Sequence, residues 1–246
     1  MRFDSVEAYD PPERVCRYDA DMDIMHPLRL EMIDVALELL PFHRTQALRA
    51  LDLGVGTGAF SQQFLERHVN SVMVAVDGAS SMLELAQSRL REFSDRVELV
   101  VSDFRAIPTK LLEPDTLDVV ISSYALHHLN AHEKLAVLKS VVRAIRPGGW
   151  FLNADIVIAD TPDIECRLQE IRVEAITKRA PAKDTRFHSL EATRRYLDDM
   201  EEIEQDQPQT LKQDLRILRE SGITNAEVFW KELREAVTGG SKESAT

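Results

Sequence analysis

The stretch Leu51 to Phe60, LDLGVGTGAF, decides the fold. It joins an apolar run, ALRALDLG, to an amphipathic one, GAFSQQFLERH, so the chain passes from strand to helix within a few residues. Glycine at 54, 56 and 58 allows positive φ in that turn and lets a ligand approach bare backbone, while the helix that follows offers free N–H groups and a partial positive charge. With Ala59 in sixth place, GVGTGA also fits the G-x-G-x-x-A form of a dinucleotide-binding turn. Taken alone, the turn does not choose its ligand.

Outward from the turn a rhythm repeats. SVMVAVDG, RVELVVSD, LDVVISSYALHHL and WFLNADIVI are Val- and Leu-rich runs suited to parallel strands buried on both faces. Between them, SSMLELAQSRLREF and AHEKLAVLKSVVRAIRPGG have helical spacing, the second closed by Pro147 and twin glycines. Alternating βα units predict an α/β fold with a doubly wound, mostly parallel sheet, whose ligands sit outside the carboxyl ends of the strands. Upstream, residues 1–40 are expected to form a lid and a helix: Tyr9 and Tyr18 lie among acids and prolines, and PLRLEMIDVALELL spaces Leu28, Met32, Val35 and Leu39 along a helix. After Ile158 the rhythm breaks, and residues 160–206 read as two charged helices forming a cap inserted into a single domain spanning 1–246. A helix closed by Gly222 follows, then NAEVFWKE and REAVTGG as a hairpin and SKESAT as a frayed tail.

Composition narrows the class. Lys and Arg number 30 against 42 Asp and Glu, a net charge of −12, which repels a polyanion and argues against nucleic acid as a partner. Cys16 and Cys166 form neither a disulfide framework nor a CxxC site. With no apolar leader and no run of membrane-spanning length, a cytoplasmic protein without a membrane role is expected.

Acids at the strand ends address the ligand. Asp77 lies 19 residues beyond Gly58, where a carboxylate accepts from a ribose diol, and Asp103 closes the next strand beside Phe104. Asp52 would repel a pyrophosphate but meet an ammonium group, and no basic residue is evident beside these acids. The ordered series LDLGVGTG, VDGASSML, SDF, DVVISSYALHHL and IRPGGWF resembles the class I S-adenosylmethionine-dependent methyltransferases over residues 48–158 and the terminal hairpin. The resemblance implies a seven-stranded sheet with the last strand antiparallel, and S-adenosylmethionine as cofactor. It places Gly54, Gly56 and Gly58 against the methionine part of the donor, Asp52 toward its amino group and Asp77 on the ribose hydroxyls. Met82 would lie on the adenine, with Asp103 and Phe104 at its edge and Ser122 lending backbone near the sulfonium. Where the family often has serine or proline after the second acid, this chain has Ala79 and Ser80.

Methyl transfer to a hydroxyl or amine is helped by a general base, and His127 and His128 after the fourth strand are the candidates, with a loop-fixing role as the alternative. His26, His43, His68 and His132 read as surface or helix-end residues without metal spacing, and no metal is expected. The acceptor is expected to be a small molecule read by the cap and the N-terminal segment. An anionic acceptor would suit the basic cluster Lys178, Arg179, Lys183, Arg186 and His188, which is otherwise a solvated loop. The oligomeric state is open, with a homodimer allowed. Alternative functions are a wobble-uridine tRNA modification enzyme of the same fold, an NAD-dependent oxidoreductase and a non-catalytic donor-binding protein.

Overall fold

A computed structural model describes residues 6–9 and 11–244, so most of the first ten residues and the last two of the tail lie outside the described residues. Seven strands form one sheet in the order β3-β2-β1-β4-β5-β7-β6. They are β1 (Arg49–Leu53), β2 (Val72–Asp77), β3 (Val97–Val101), β4 (Leu117–Ser123), β5 (Ile145–Ile156), β6 (Glu227–Glu232) and β7 (Glu235–Ser241). The first five pair in parallel, and β7 runs antiparallel between β5 and β6, as the resemblance implied.

The two faces of the sheet carry different cores because side chains alternate along each strand. Ala50, Val119 and Ile121 join Met32 of α3 (Arg29–Glu38), Phe64 of α4 (Ala59–Arg67) and Ala86 of α5 (Ser80–Arg89) on one face. Leu51, Leu53 and Val120 join Val141 of α6 (Ala131–Ala144) and Leu218 of α9 (Leu211–Ser221) on the other. Residues 160–206 form α7 (Pro162–Arg179) and α8 (Leu190–Ile203), with a small core of Val173, Ile176, Phe187 and Leu197. Ile24 and Met25 of α2 (Tyr18–Met25) pack against that core, which ties the cap to the N-terminal segment, itself begun by α1 (Pro12–Val15).

One local expectation fails. Helix α6 stops at Ala144, and residues 146–149 bulge within β5, between the pairs Leu117/Ile145 and Val119/Trp150. Pro147 has no N–H to give a ladder, so it interrupts a strand here instead of closing a helix. The tail is anchored at its start: the Lys242 amide donates to the Gly149 carbonyl, and its Nζ lies 2.9 Å from Asp115. Among the described residues no helix is long and apolar enough to cross a membrane.

Candidate active site

The glycine turn opens at the carboxyl ends of β1 and β2. Amides of Gly54 and Val55 both donate to the Val76 carbonyl, and the Gly56 amide donates to Oδ2 of Asp77 at 2.8 Å. The Ala79 amide takes Oδ1 at 2.9 Å, so the Asp77 carboxylate is held rigidly by two backbone donors. At Gly54 (φ +78°) a Cβ would stand 2.4 Å from that of Ala125, because the loop after β4 lies directly on the turn. Gly56 (φ +52°) would meet nothing within 4 Å and faces open space.

Of the residues expected to hold the donor, Asp52, Gly54, Gly56, Asp77, Met82, Asp103 and Phe104 border one cleft, and His128 joins them. Gly58 packs instead against Leu90 and Ala86 behind the turn. Ser122, expected to lend backbone, is buried inside β4 with its hydroxyl donating to the Leu53 carbonyl at 2.8 Å, and the next residue, Ser123, borders the cleft. Tyr124 follows in a left-handed conformation (φ +47°), a strained backbone of the kind concentrated at functional sites.

Basic residues, unseen as such in the sequence, do border the cleft. Arg105 pairs with Asp103 at 2.8 Å and with Glu133 at 3.1 Å. Arg29 is buried, pairs with Asp19 and Asp23, and keeps Nε without a hydrogen-bond partner. Asp52 is its opposite number. Ser61 donates to Oδ2 at 2.6 Å, Oδ1 has no hydrogen-bond partner, and burial, helped by Asp77, pushes the carboxyl up to about 7. Such a cleft fits a ligand with an ammonium and a carboxylate at one end, a diol for Asp77, and a flat ring between Met82 and Phe104.

A second cavity lies under α8 and shares Tyr9, Tyr18, Met22 and Tyr124 with the first. The two expected base residues stand at this junction, both buried. His128 has Nε2 3.2 Å from the Tyr9 hydroxyl, which donates to Oε2 of Glu204 at 2.9 Å. His127 borders only the second cavity and places Nδ1 2.6 Å from Oδ1 of Asp155. Burial works against charge on both rings. For His127 the carboxylates of Asp155 and Asp206 overcome it and raise the pKa, whereas for His128 burial and the neighbouring His127 lower it.

Asp206 and Glu204, at the end of the cap, went unnoticed in the sequence because they are far along the chain from the histidines. The Gln207 amide donates to the His127 carbonyl and Gln209 Nε2 to that of Leu129, which seats this segment on the HHL loop. The other expected positions are scattered. His26 is buried 2.5 Å from Glu235 and His68 is buried against Phe64, so neither is a surface residue, although both end helices. His43 and His132 are exposed. In the basic cluster, Arg186 forks onto Asp21 and Asp184, and Arg179 bonds the Ile24 carbonyl, while Lys178, Lys183 and His188 are exposed. None of the five borders either cavity at the junction.

Residues 50–149 match the family described as methyltransferase domain. The chain is 30% identical over 122 residues to an uncharacterized methyltransferase of Geobacillus kaustophilus, covering 50% of this chain and 53% of that one. It thus spans about half the length of the curated relatives it matches there. It is 19% identical over 207 residues to a carboxy-S-adenosyl-L-methionine synthase of Nautilia profundicola, covering 83% and 82%. Among solved structures, an O-methyltransferase family protein of Burkholderia thailandensis superposes with a TM-score of 0.67 at 20% identity, over 97% of this chain and 64% of that one.

Proposed function

We propose, from the chain's membership of the class I S-adenosylmethionine-dependent methyltransferases, that it transfers a methyl group from S-adenosylmethionine to a small-molecule acceptor. One observation carries the reading. Two buried opposite charges, Asp52 and Arg29, border the cleft at the glycine turn, and each keeps a polar atom without a hydrogen-bond partner. The amino-acid end of the donor supplies an ammonium for one and a carboxylate for the other. Asp77, held by the amides of Gly56 and Ala79, is placed to accept from ribose hydroxyls.

When bound, the donor supplies a methyl already activated on a sulfonium. The chain then has to align the acceptor and exclude water, for which the aromatic wall of Tyr9, Tyr18 and Tyr124 between the two cavities is suited. We assign the acceptor to the second cavity. Its arginines are already matched, Arg14 by Glu204 and Arg172 by Glu201, which favours a neutral acceptor over an anionic one. His128, tied to Tyr9, positions that hydroxyl at the junction.

Calorimetry with S-adenosylhomocysteine and with NADH tests the donor, and mass spectrometry of reactions with labelled S-adenosylmethionine tests transfer to phenols, alcohols, amines and tRNA. Binding of S-adenosylhomocysteine and not NADH, with labelled small-molecule product, is expected; binding of NADH alone overturns the reading. A second reading, chemistry on the donor itself, is supported by the likeness to the Nautilia synthase over 207 residues. A mass change in the donor without acceptor would reveal it.

A further inference from the structure

At the junction of the two cavities, side chains from the HHL loop and the end of the cap converge in a way that hydrogen bonding does not satisfy. Asp155 lies 2.6 Å from Nδ1 of His127, a charge-assisted contact between two buried side chains. A carboxylate there accepts from Nδ1, which leaves Nε2 of His127, 3.5 Å from Oδ1 of Asp206, as the ring nitrogen free to face a metal, deprotonated when an ion binds. The same reasoning applies to His128. Tyr9 spends its hydroxyl proton on Glu204, so Nε2 of His128 donates to the Tyr9 oxygen, and Nδ1 is left bare. That bare Nδ1 lies 3.0 Å from the same Oδ1 of Asp206, yet neither atom has a hydrogen bond of acceptable geometry.

Two atoms without a hydrogen-bond partner, Nδ1 of His128 and Oδ1 of Asp206, thus face each other among side chains no more than about a tenth exposed. Charge repeats the imbalance. Glu204 is matched by Arg14 and Glu201 by Arg172, but among the described residues Asp155 and Asp206 have no ion pair with any lysine or arginine. Their ion-pair partners are the two imidazoles.

We infer that His127, His128, Asp206 and Glu204 form a binding site for a divalent transition-metal ion, with Asp155 orienting His127 from behind. One ligand atom from each of the four lies within 4.8 Å of the others. A tetrahedral ion with bonds of about 2.0–2.2 Å needs donors roughly 3.3–3.5 Å apart. The 3.5 Å spacing of His127 and Asp206 already meets that, the 3.0 Å spacing of His128 and Asp206 has to open by a few tenths of an ångström, and Glu204 closes the set by a side-chain adjustment. Two imidazoles and two carboxylates select borderline ions such as Zn²⁺ or Co²⁺ over Mg²⁺ or Ca²⁺. The Asp155–His127 bond is the outer-sphere contact that metal-bound histidines ordinarily make. Resting on the methyl-transfer reading, the ion would take an acceptor oxygen as a fifth ligand where the second cavity meets the donor cleft and make its deprotonation easier.

The test uses the full chain, stripped with chelator, and Co²⁺ alone as the probe, followed by visible absorption and calorimetry. One equivalent of Co²⁺ should bind with d–d bands, be displaced by Zn²⁺, and raise the melting temperature. Asp206→Asn and His127→Gln should each weaken binding by about 100-fold or more, and Asp155→Asn by about 10- to 100-fold, while the exposed His132→Gln leaves it unchanged. Absence of a stoichiometric site in the wild-type chain overturns the inference without any variant and leaves the cluster a proton-sharing network. Binding that survives both Asp206→Asn and His127→Gln overturns it too. S-adenosylhomocysteine affinity, measured on the same samples, reports separately on the methyl-transfer reading.

Discussion

Tyr9 and His128 are joined across 119 residues of chain: the tyrosine hydroxyl lies 3.2 Å from Nε2 of the histidine while donating to Glu204 at 2.9 Å. This contact fastens the N-terminal segment to both the HHL loop and the cap end. Removing the hydroxyl while keeping the ring leaves the apolar packing of Tyr9 against Tyr18 in place. Tyr9→Phe is therefore expected to change S-adenosylhomocysteine affinity by less than about threefold and to slow single-turnover methyl transfer by about tenfold or more, through misplacement of the acceptor. If affinity and rate fall together, Tyr9 serves the donor and not the junction.

The contact between Gly54 and Ala125 separates packing from binding in the glycine turn. A methyl group at 54 would collide with the Ala125 Cβ at 2.4 Å in a backbone with φ +78°, whereas one at 56 enters open space with φ +52°. Gly54→Ala should cost about 2–3 kcal/mol or more in unfolding free energy, combining overpacking with left-handed strain. Gly56→Ala should cost about 1–2 kcal/mol, the strain alone, yet abolish measurable donor binding because its methyl stands in the cleft. Urea unfolding and calorimetry on both variants check this. Equal loss of stability at the two positions would contradict the packing asymmetry.

What the sequence disclosed follows from the range over which each signal acts. Strand and helix alternation, the glycine turn and the acids at 52, 77 and 103 are local patterns, and the sheet order with its antiparallel β7 matches them. For Ser122, expected to lend backbone, strand alternation and the register opposite Leu53 turn the hydroxyl inward, which a local pattern does not reveal. Arg29 was hidden because a basic residue on an apolar helix reads as solvent-facing until its partners Asp19 and Asp23 are placed. Asp206 and Glu204 lie far along the chain from the histidines, and only the seating of residues 207–209 on the HHL loop brings them together.

Asp52 makes stability depend on pH in an unusual direction for a carboxylate. Its folded pKa, raised by burial to about 7, exceeds the unfolded value, so the folded chain binds an extra proton between about pH 4 and 7. The associated stability is fully present below pH 4 and is lost as pH rises through 7, by about 4 kcal/mol at most. Asp52→Asn should remove that slope, so its urea midpoint relative to wild type should be higher at pH 8 than at pH 5. Donor binding, by contrast, favours the carboxylate. Wild type should therefore release a proton on binding S-adenosylhomocysteine near pH 7, seen as a buffer-dependent calorimetric enthalpy absent in the variant.

Arg186 decides whether the basic loop grips the acceptor or holds the cap. Its guanidinium forks onto Asp21 of α2 and onto Asp184 and lies over the rings of Phe187 and Tyr196, which accounts for its charge without any ligand. The contact is partly buried, and its bidentate geometry makes it worth about 1–3 kcal/mol. Arg186→Gln should therefore loosen residues 160–206 from α2: proteolysis within the cap should quicken by about tenfold or more, with S-adenosylhomocysteine affinity unchanged. Acceptor KM should rise through the loosened cavity wall, and by a similar factor for neutral and anionic acceptors. A rise confined to anionic acceptors, with proteolysis unaltered, would return Arg186 to the role of an anion-binding residue.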